Sequence, residues 1–242
     1  MSLGMFCSVP LPFHIWEDGC MNLMLPCFPI VGIFIGALWW GAAKILAIAG
    51  APGMPASAVV ALTPFILSGF LHLDGYMDTS DAILSRKPLE EKFRILKDPH
   101  TGSFSVVMVA ALFILQFAAA CVVMESGGHF SLLAAVAVIS RSFSALSILC
   151  LKTMEHSGYA KMMKQNTRAS HKAFLCAIAA CAALFAVFAA GLGGLIVAAA
   201  VAAGFVASMF VAYRDLKGVS GDLAGFALVI GELCGLIALA CI

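Results

Sequence analysis

The sequence predicts an all-α protein, a polytopic membrane bundle of about seven transmembrane helices. Composition is the first observation behind this fold class: 62% of the residues are hydrophobic and 11% are charged, whereas roughly a quarter of a soluble domain is charged. The mean hydropathy of +1.04 points the same way. The second observation is a series of apolar runs of about 20 residues, the length that crosses a bilayer. The third is the clustering of basic residues in alternate loops.

The apolar runs define the individual spans and the parts of the chain outside them. The expected spans lie near residues 24–49, 57–78, 103–124, 130–151, 173–190, 194–213 and 221–241. The fifth and sixth belong to one apolar stretch of 41 residues, which is too long for a single span, so we expect a helical hairpin that turns at GLGG, residues 191–194. Residues 1–23 contain no span and are predicted to form an amphipathic segment at the membrane interface. We expect residues 1–242 to form one integral membrane domain.

Basic residues indicate how these spans are oriented. Twelve of the 14 Lys and Arg residues lie in the loops between spans 2 and 3, 4 and 5, and 6 and 7. The positive-inside rule makes these loops cytoplasmic. The N-terminus is therefore predicted inside and the C-terminus outside. The exceptions, Lys44 and Arg141, lie within spans.

Three acidic residues stand where the second expected span reaches the cytoplasm, in FLHLDGYMDTSDA (residues 70–82). Asp74, Asp78 and Asp81 are spaced i, i+4, i+7, which places them within about 60° of one another on a helix. Two carboxylates about 6 Å apart repel by roughly 3 kcal/mol at an effective dielectric near 20. Protonation or a shared cation would relieve this repulsion, and Mg²⁺ binds carboxylates while leaving positions for phosphates. A solvated helix end is the alternative explanation.

The loop after the acids ends in KDPHTG (residues 97–102), directly before the third expected span. Helix N-termini carry free N–H groups and a positive dipole end, so they favour phosphate. Lys97 and Gly102 are therefore expected at a phosphate site. Asp98 is either a fourth metal ligand or a partner that orients Lys97. Acids on one helix and cations before the next predict a metal–diphosphate site, and with it metal-assisted phosphoryl or phosphodiester transfer.

Two further charged positions fall within or beside the spans. Glu232 lies inside the last span, where a buried carboxylate needs a partner, and Arg141 in the fourth span is the natural candidate. We expect this pair to be structural. Asp222 opens the last span near the depth of the acidic stripe.

These motifs resemble those of the cobalamin synthase family, the adenosylcobinamide-GDP ribazoletransferases. The resemblance is strongest in HLDGYMDTSDA and RILKDPHTGSFSV, continues in GVSGDLAGF and PCFPIVGIFIG, and covers nearly the whole chain. The chain departs from the family pattern after Asp222, where it reads GDLAGFALVIGE without the Asn that many members carry.

The resemblance implies a prokaryotic enzyme of the cytoplasmic (inner) membrane whose active site faces the cytoplasm. Such an enzyme joins adenosylcobinamide-GDP to α-ribazole, or to α-ribazole 5′-phosphate, with Mg²⁺ and releases GMP in the last stage of vitamin B12 assembly. Its expected partners are these substrates and the lipid bilayer, with no nucleic acid. The sequence leaves a homo-oligomer open.

The resemblance also assigns roles to single residues. The metal ligands would be Asp74, Asp78, Asp81 and Asp98. Arg94 or Lys97 would neutralise the leaving GMP. His72 or His100 would take the proton of the attacking hydroxyl, since an imidazole titrates near neutrality, and an Asp remains open for this step.

Two other functions compete with this interpretation. A CDP-alcohol phosphotransferase also places aspartates on adjoining membrane helices, but its motif requires Asp-Gly-x-x-Ala-Arg, and Asp74-Gly75 is followed here by Tyr-Met-Asp-Thr. A cation-coupled transporter would use the acids to bind its ion. Transporters often carry inverted repeats and bind near the bilayer midplane, whereas this chain shows no clear repeat and its acids lie at a span end.

The predicted orientation can be tested by cysteine labelling in whole cells. A membrane-impermeant thiol reagent should modify a single cysteine placed in the loop between spans 1 and 2, or between spans 3 and 4. It should leave a cysteine in the loop of residues 85–100 unmodified until the membrane is opened. Labelling of the latter loop in intact cells would invert the topology.

Overall fold

The computed structural model describes residues 1–10, 17–155, 157–165 and 167–242, and its regular elements there are helices. The α-helices are α1 (Ser2–Phe6), α2 (Phe28–Ile48), α3 (Gly53–Leu67), α4 (Leu71–Leu84), α5 (Leu89–Ile95), α6 (Ser103–Ser126), α7 (Leu132–Cys150), α8 (Gly158–Lys164), α9 (Ala169–Leu216) and α10 (Gly221–Ala240). Within the described part, α2, α6, α7, α9 and α10 are long and apolar enough to cross a membrane, and the bent pair α3–α4 is a sixth candidate. The predicted class, an all-α membrane protein, is confirmed.

The second expected span, residues 57–78, is not one helix, and this part of the prediction was wrong. α3 ends at Leu67 and α4 begins at Leu71, and their axes differ by 89°. The break arises because Gly69 and Phe70 both have a left-handed backbone, with φ of +61° and +60°, which a right-handed helix cannot contain. The acids therefore do not end a straight span but lie on a separate helix that starts after the break.

The N-terminal segment is fastened to this break. The backbone N–H of Ser8 donates to the carbonyl of Leu67 at 2.8 Å, and the Ser8 hydroxyl donates to the carbonyl of Ile66 at 2.5 Å. These bonds satisfy carbonyls that the end of α3 leaves without helical partners. Residues 11–16 of the predicted interfacial segment lie outside the described residues. The described part buries Phe6 and Met21 in the core.

α9 spans 48 residues but is not one straight helix. The backbone leaves helical geometry at Ala190 (φ −144°) and at Gly191 (φ +56°, ψ −129°). A Cβ placed on Gly194 would overlap the carbonyl of Ala186, although residues eight apart in a continuous helix are separated by about 12 Å. The chain therefore folds back on itself at the GLGG sequence, where the hairpin was predicted.

A buried ion pair joins α7 to α10. The guanidinium of Arg141 donates to the carboxylate of Glu232, and the two side chains are 1% and 4% exposed. The Ser140 hydroxyl also donates to Glu232 Oε1 at 2.9 Å, and Arg141 donates to the carbonyl of Ala137 at 3.1 Å. The predicted pairing of Arg141 with Glu232 is confirmed. Either charge alone would be very costly at this depth, so each residue requires the other.

Loss of one partner should therefore destabilise the protein strongly. We expect Glu232→Gln to reduce the free energy of unfolding by about 3–5 kcal/mol, because it leaves the Arg141 charge buried without its counter-ion. The melting temperature of the detergent-solubilised protein measures the effect.

The matched control is Glu91→Gln, which removes the exposed Lys87–Glu91 pair at 3.3 Å. Its effect should stay below about 1 kcal/mol. The double variant Arg141→Met/Glu232→Gln should recover part of the loss, since no charge remains buried. Equal melting temperatures for Glu232→Gln and Glu91→Gln would contradict a structural role for the buried pair.

Candidate active site

The acidic stripe lies on α4, which is continuous from Leu71 to Leu84. Asp74, Asp78 and Asp81 therefore share one face of one helix, in the spacing that the sequence predicted. Asp74 is exposed, whereas Asp78 and Asp81 are partly buried. α4 thus presents one exposed carboxylate and two partly buried ones.

α10 crosses α4 at the stripe and adds a fourth carboxylate, that of Asp222. A Cβ on Gly75 would lie 2.8 Å from both the Cα and the carbonyl oxygen of Asp222, so only glycine permits this approach. One turn further along α10, Gly225 faces the backbone of His72 in the same way, at 3.3 Å for a Cβ. The sequence places Asp222 near the depth of the stripe, and Gly75 and Gly225 allow close packing, but nothing in the sequence pairs these two helices.

The start of α10 is held in place by its own cap and by a short bridge. The Ser220 hydroxyl accepts from the backbone N–H of Leu223 at 3.3 Å, which caps the helix. The preceding residue, Val219, pairs with the loop after α7: it donates to the carbonyl of Lys152 at 2.9 Å and accepts from the N–H of Met154 at 3.0 Å. These bonds fix the start of α10 in the position at which Asp222 contacts α4.

Electrostatic repulsion converges on Asp78. Asp78 is partly buried, and the negative charges of Asp74, Asp222 and Asp81 all act on its carboxylate. Across residues 1–10, 17–155, 157–165 and 167–242, no three His, Cys, Asp or Glu side chains are arranged as a ready-made metal site. The four carboxylates therefore create a strong negative potential, but they are not arranged as the ligands of a metal ion.

Asp81 lies at the N-terminus of α6, where the sequence predicts a phosphate site. Its Oδ1 accepts from the backbone N–H of Phe104 in the first turn of α6 at 3.2 Å. A Cβ on Gly102 would overlap this carboxylate. Gly102 is therefore required by a close approach of Asp81, and the phosphate-binding role predicted for it remains a prediction.

Asp98 and His100 form a pair in the exposed loop before α6. Asp98 Oδ1 accepts from the backbone N–H of His100 at 3.0 Å and from its Nδ1 at 2.7 Å. These hydrogen bonds lower the pKa of the Asp98 carboxyl. Asp98 thus orients His100, a role the sequence did not consider, since it expected a metal ligand or a partner for Lys97.

The predicted cations lie on the side of the site that faces the loop. Lys97 lines a cavity of about 80 Å³ together with Ser220 and Asp222. Arg94 lies exposed near the end of α5. Lys92 was interpreted only as a topology signal, but it is buried and pairs with Asp215 on α9 at 2.6 Å. This ion pair fastens α5, and with it Lys97, to the helical core.

His72 lies beside the site in an aromatic group rather than in the acidic stripe. Its ring centroid is 6.2 Å from that of Phe6 and 5.6 Å from that of Phe28. The imidazole is 7% exposed, and its Nε2 has no hydrogen-bond partner among the described residues. It borders a second, larger cavity of about 510 Å³ that Asp222 also lines.

These features define a multi-pass helical membrane protein with a carboxylate cluster where two helices cross beside a basic loop. The family model of cobalamin-5-phosphate synthase (CobS) matches residues 1–240, and the chain belongs to this family. The resemblance seen in the motifs is thereby confirmed. The match favours it over the CDP-alcohol phosphotransferase and transporter alternatives.

Curated relatives support the same assignment over the full length of the chain. The chain is 38% identical over 239 residues to an adenosylcobinamide-GDP ribazoletransferase of Clostridium botulinum (strain Alaska E43), covering 98% of this chain and 94% of the relative. An enzyme of the same name from Clostridium perfringens (strain ATCC 13124) is 35% identical over 241 residues, covering 99% and 95%. One from Pseudomonas putida (strain GB-1) is 35% identical over 217 residues, covering 88% and 85%. No solved structure matches the chain significantly.

The α4–α10 crossing yields a prediction about stability. Gly75→Ala should force the two helices apart, because the new methyl group would meet the backbone of Asp222 at 2.8 Å. Overpacking of this kind costs about 1–3 kcal/mol, which a lower melting temperature in detergent would report.

Gly41→Ala on α2 is the matched control, since a Cβ there meets nothing within 4 Å. It should leave stability unchanged or raise it slightly through the better helix propensity of alanine. A melting temperature for Gly75→Ala as high as that of Gly41→Ala would disprove the close approach of α4 and α10.

Proposed function

We propose that this chain transfers the adenosylcobinamide-phosphate group from adenosylcobinamide-GDP to α-ribazole or α-ribazole 5′-phosphate, with release of GMP. The reaction takes place at the α4–α10 crossing. The observation that carries this proposal is the meeting there of the carboxylates of Asp74, Asp78, Asp81 and Asp222, in a chain whose relatives bear the name of this activity.

The residues at the crossing fit a magnesium ion. Three carboxylates repel that of Asp78, and hard carboxylate oxygens are the ligands that Mg²⁺ prefers. Asp74, Asp78, Asp81 and Asp222 would hold it after side-chain rotation. When bound, the cation supplies charge neutralisation for a diphosphate. Asp98 is engaged with His100 and serves the site from the loop.

Lys97 and Arg94 neutralise the leaving GMP. Lys97 and Asp222 line the same small cavity, so a diphosphate bound at the acids would lie within reach of the Lys97 side chain. A ribose hydroxyl of the acceptor attacks the phosphorus that carries the cobinamide. The phosphoanhydride bond to GMP then breaks, and its electron pair leaves with the GMP phosphate, where positive charge stabilises it most.

His100 accepts the proton of the attacking hydroxyl. Its Nδ1 donates to Asp98 Oδ1, which orients the ring and supports a positive charge on it, as a carboxylate does for a catalytic histidine in general. The imidazole is exposed, so a bound substrate can reach it. His72, which is buried among aromatic rings, is better suited to contact substrate than to exchange protons with water.

The same proposal includes seven membrane crossings with the N-terminus inside. α3 and α4 would together form the second span, and the two arms of α9 on either side of Gly191 would form the fifth and sixth. The active site would then face the cytoplasm, where the nucleotide substrates are found, because α5 and its basic neighbours lie on the predicted cytoplasmic side.

Release of GMP from purified protein tests the proposed function. The protein in detergent or liposomes, given adenosylcobinamide-GDP, α-ribazole and Mg²⁺, should form GMP in amounts equal to the cobalamin product, and EDTA should stop the reaction. Chromatographic quantification of both products measures it, and a parallel assay with α-ribazole 5′-phosphate identifies the preferred acceptor.

Asp78→Asn should lower kcat by about 10²–10³-fold, the usual effect of losing one electrostatic contact to a transition state. Glu125→Gln, at the far end of α6 and exposed, is the control and should retain full activity. Failure of the wild-type protein to release GMP from bound substrate would refute the proposal. Full activity of Asp78→Asn would remove this residue from the site.

A further inference from the structure

A cavity of about 510 Å³ adjoins the α4–α10 crossing. α1, α2, α4, α7, α8 and α10 all contribute to its wall. Gly221 and Asp222 form part of that wall, so one carboxylate of the acid cluster borders the cavity. Its volume lies in the range of about 300–1,000 Å³ that is typical of small-molecule sites, and none of the steps above makes use of it.

The wall away from Asp222 is aromatic and apolar. Phe6 and Phe28, whose ring centroids are 4.5 Å apart, form with His72 a group of three planar side chains. Leu25 and Met163 complete this part of the lining. Planar rings favour stacked or edge-on contact with another aromatic ring. The unpartnered Nε2 of His72 adds one buried polar atom that a ligand nitrogen could satisfy.

We propose that this cavity is the binding site for the aromatic base of the acceptor nucleoside, an inference that rests on the proposed function. The base of α-ribazole is a benzimidazole, which is planar, largely apolar and carries one free ring nitrogen. The base packs against Phe6, Phe28 and His72. The ribose extends towards Asp222, which places a sugar hydroxyl beside the carboxylate cluster.

The donor substrate fits this cavity less well than the acceptor. A guanine base carries several hydrogen-bonding groups, and their burial against Phe6, Phe28 and Leu25 would leave groups unpaired at a cost of about 1–3 kcal/mol each. The corrin macrocycle is far larger than a nucleoside base. An acyl chain of a lipid would fill the apolar part but would leave Asp222 and His72 Nε2 without partners. The acceptor matches the cavity better, because its base suits the aromatic part of the lining and its ribose suits the part beside Asp222.

A cavity-filling variant tests the assignment. Ala160 on α8 lines the cavity and is 3% exposed, so Ala160→Phe should occupy the space of the base. We expect the KM for α-ribazole to rise about tenfold or more, since even one methylene in an apolar pocket changes specificity by about 10–200-fold. The KM for adenosylcobinamide-GDP and the kcat at saturating acceptor should stay near the wild-type values.

The matched control is Ala182→Phe, which makes the same change in a separate apolar groove formed by α2, α7 and α9. It should leave both KM values unchanged. A rise in the KM for adenosylcobinamide-GDP with an unchanged KM for α-ribazole would overturn the proposal while leaving the proposed function intact.

A second measurement uses the wild-type protein and does not depend on how the variant folds. A benzimidazole riboside with a photoreactive azide on the base is irradiated with the protein in the absence of donor, and the adduct is located by mass spectrometry. Adducts on the parts of α1, α2, α4, α7, α8 or α10 that line the cavity, suppressed by excess α-ribazole, would support the proposal. Adducts confined to other segments would overturn it. Since no GMP is formed here, this result is independent of the turnover assay.

Discussion

The close contact between α4 and α10 is the constraint on which the site depends. Gly75 lets the two helix backbones meet at Asp222, and this contact adds the fourth carboxylate to a stripe that α4 alone would present with three. Further along the same helix, Glu232 pairs with Arg141 on α7. α10 is thus held against α4 at one end by a backbone contact and against α7 in its middle by a buried ion pair.

Two cavities with different linings lie beside this contact. On the loop side, Lys97, Ser220 and Asp222 line a cavity of about 80 Å³. On the core side, aromatic rings surround a cavity of about 510 Å³. Asp222 lines both cavities. In the proposed reaction, a polar diphosphate and an apolar base would therefore both lie next to Asp222, each in a cavity of matching polarity.

Features that follow from composition and helical periodicity were predictable from the sequence. The all-α membrane class, the stripe of Asp74, Asp78 and Asp81, the hairpin at Gly191 and the pairing of Arg141 with Glu232 belong to this group. The break at Gly69 and Phe70 was not predictable, because a backbone change inside an apolar run leaves polarity unaltered. The contact of Asp222 with α4 and the ion pair of Lys92 were also not predicted. Lys92 pairs with Asp215, which is 123 residues away along the chain, and only tertiary packing brings such residues together.

The bonds between Ser8 and the end of α3 have a consequence for biosynthesis. The acceptor carbonyls of Ile66 and Leu67 follow the Ser8 donor by 58 and 59 residues, so the ribosome must release both before the N-terminal segment can dock. The N-terminal segment thus reaches these contacts only after α3 has been synthesised. An extension fused before Met1 would travel with them to the bend between α3 and α4, next to Phe6 and the aromatic wall, whereas one fused after Ile242 would start from the end of α10 and leave that wall clear.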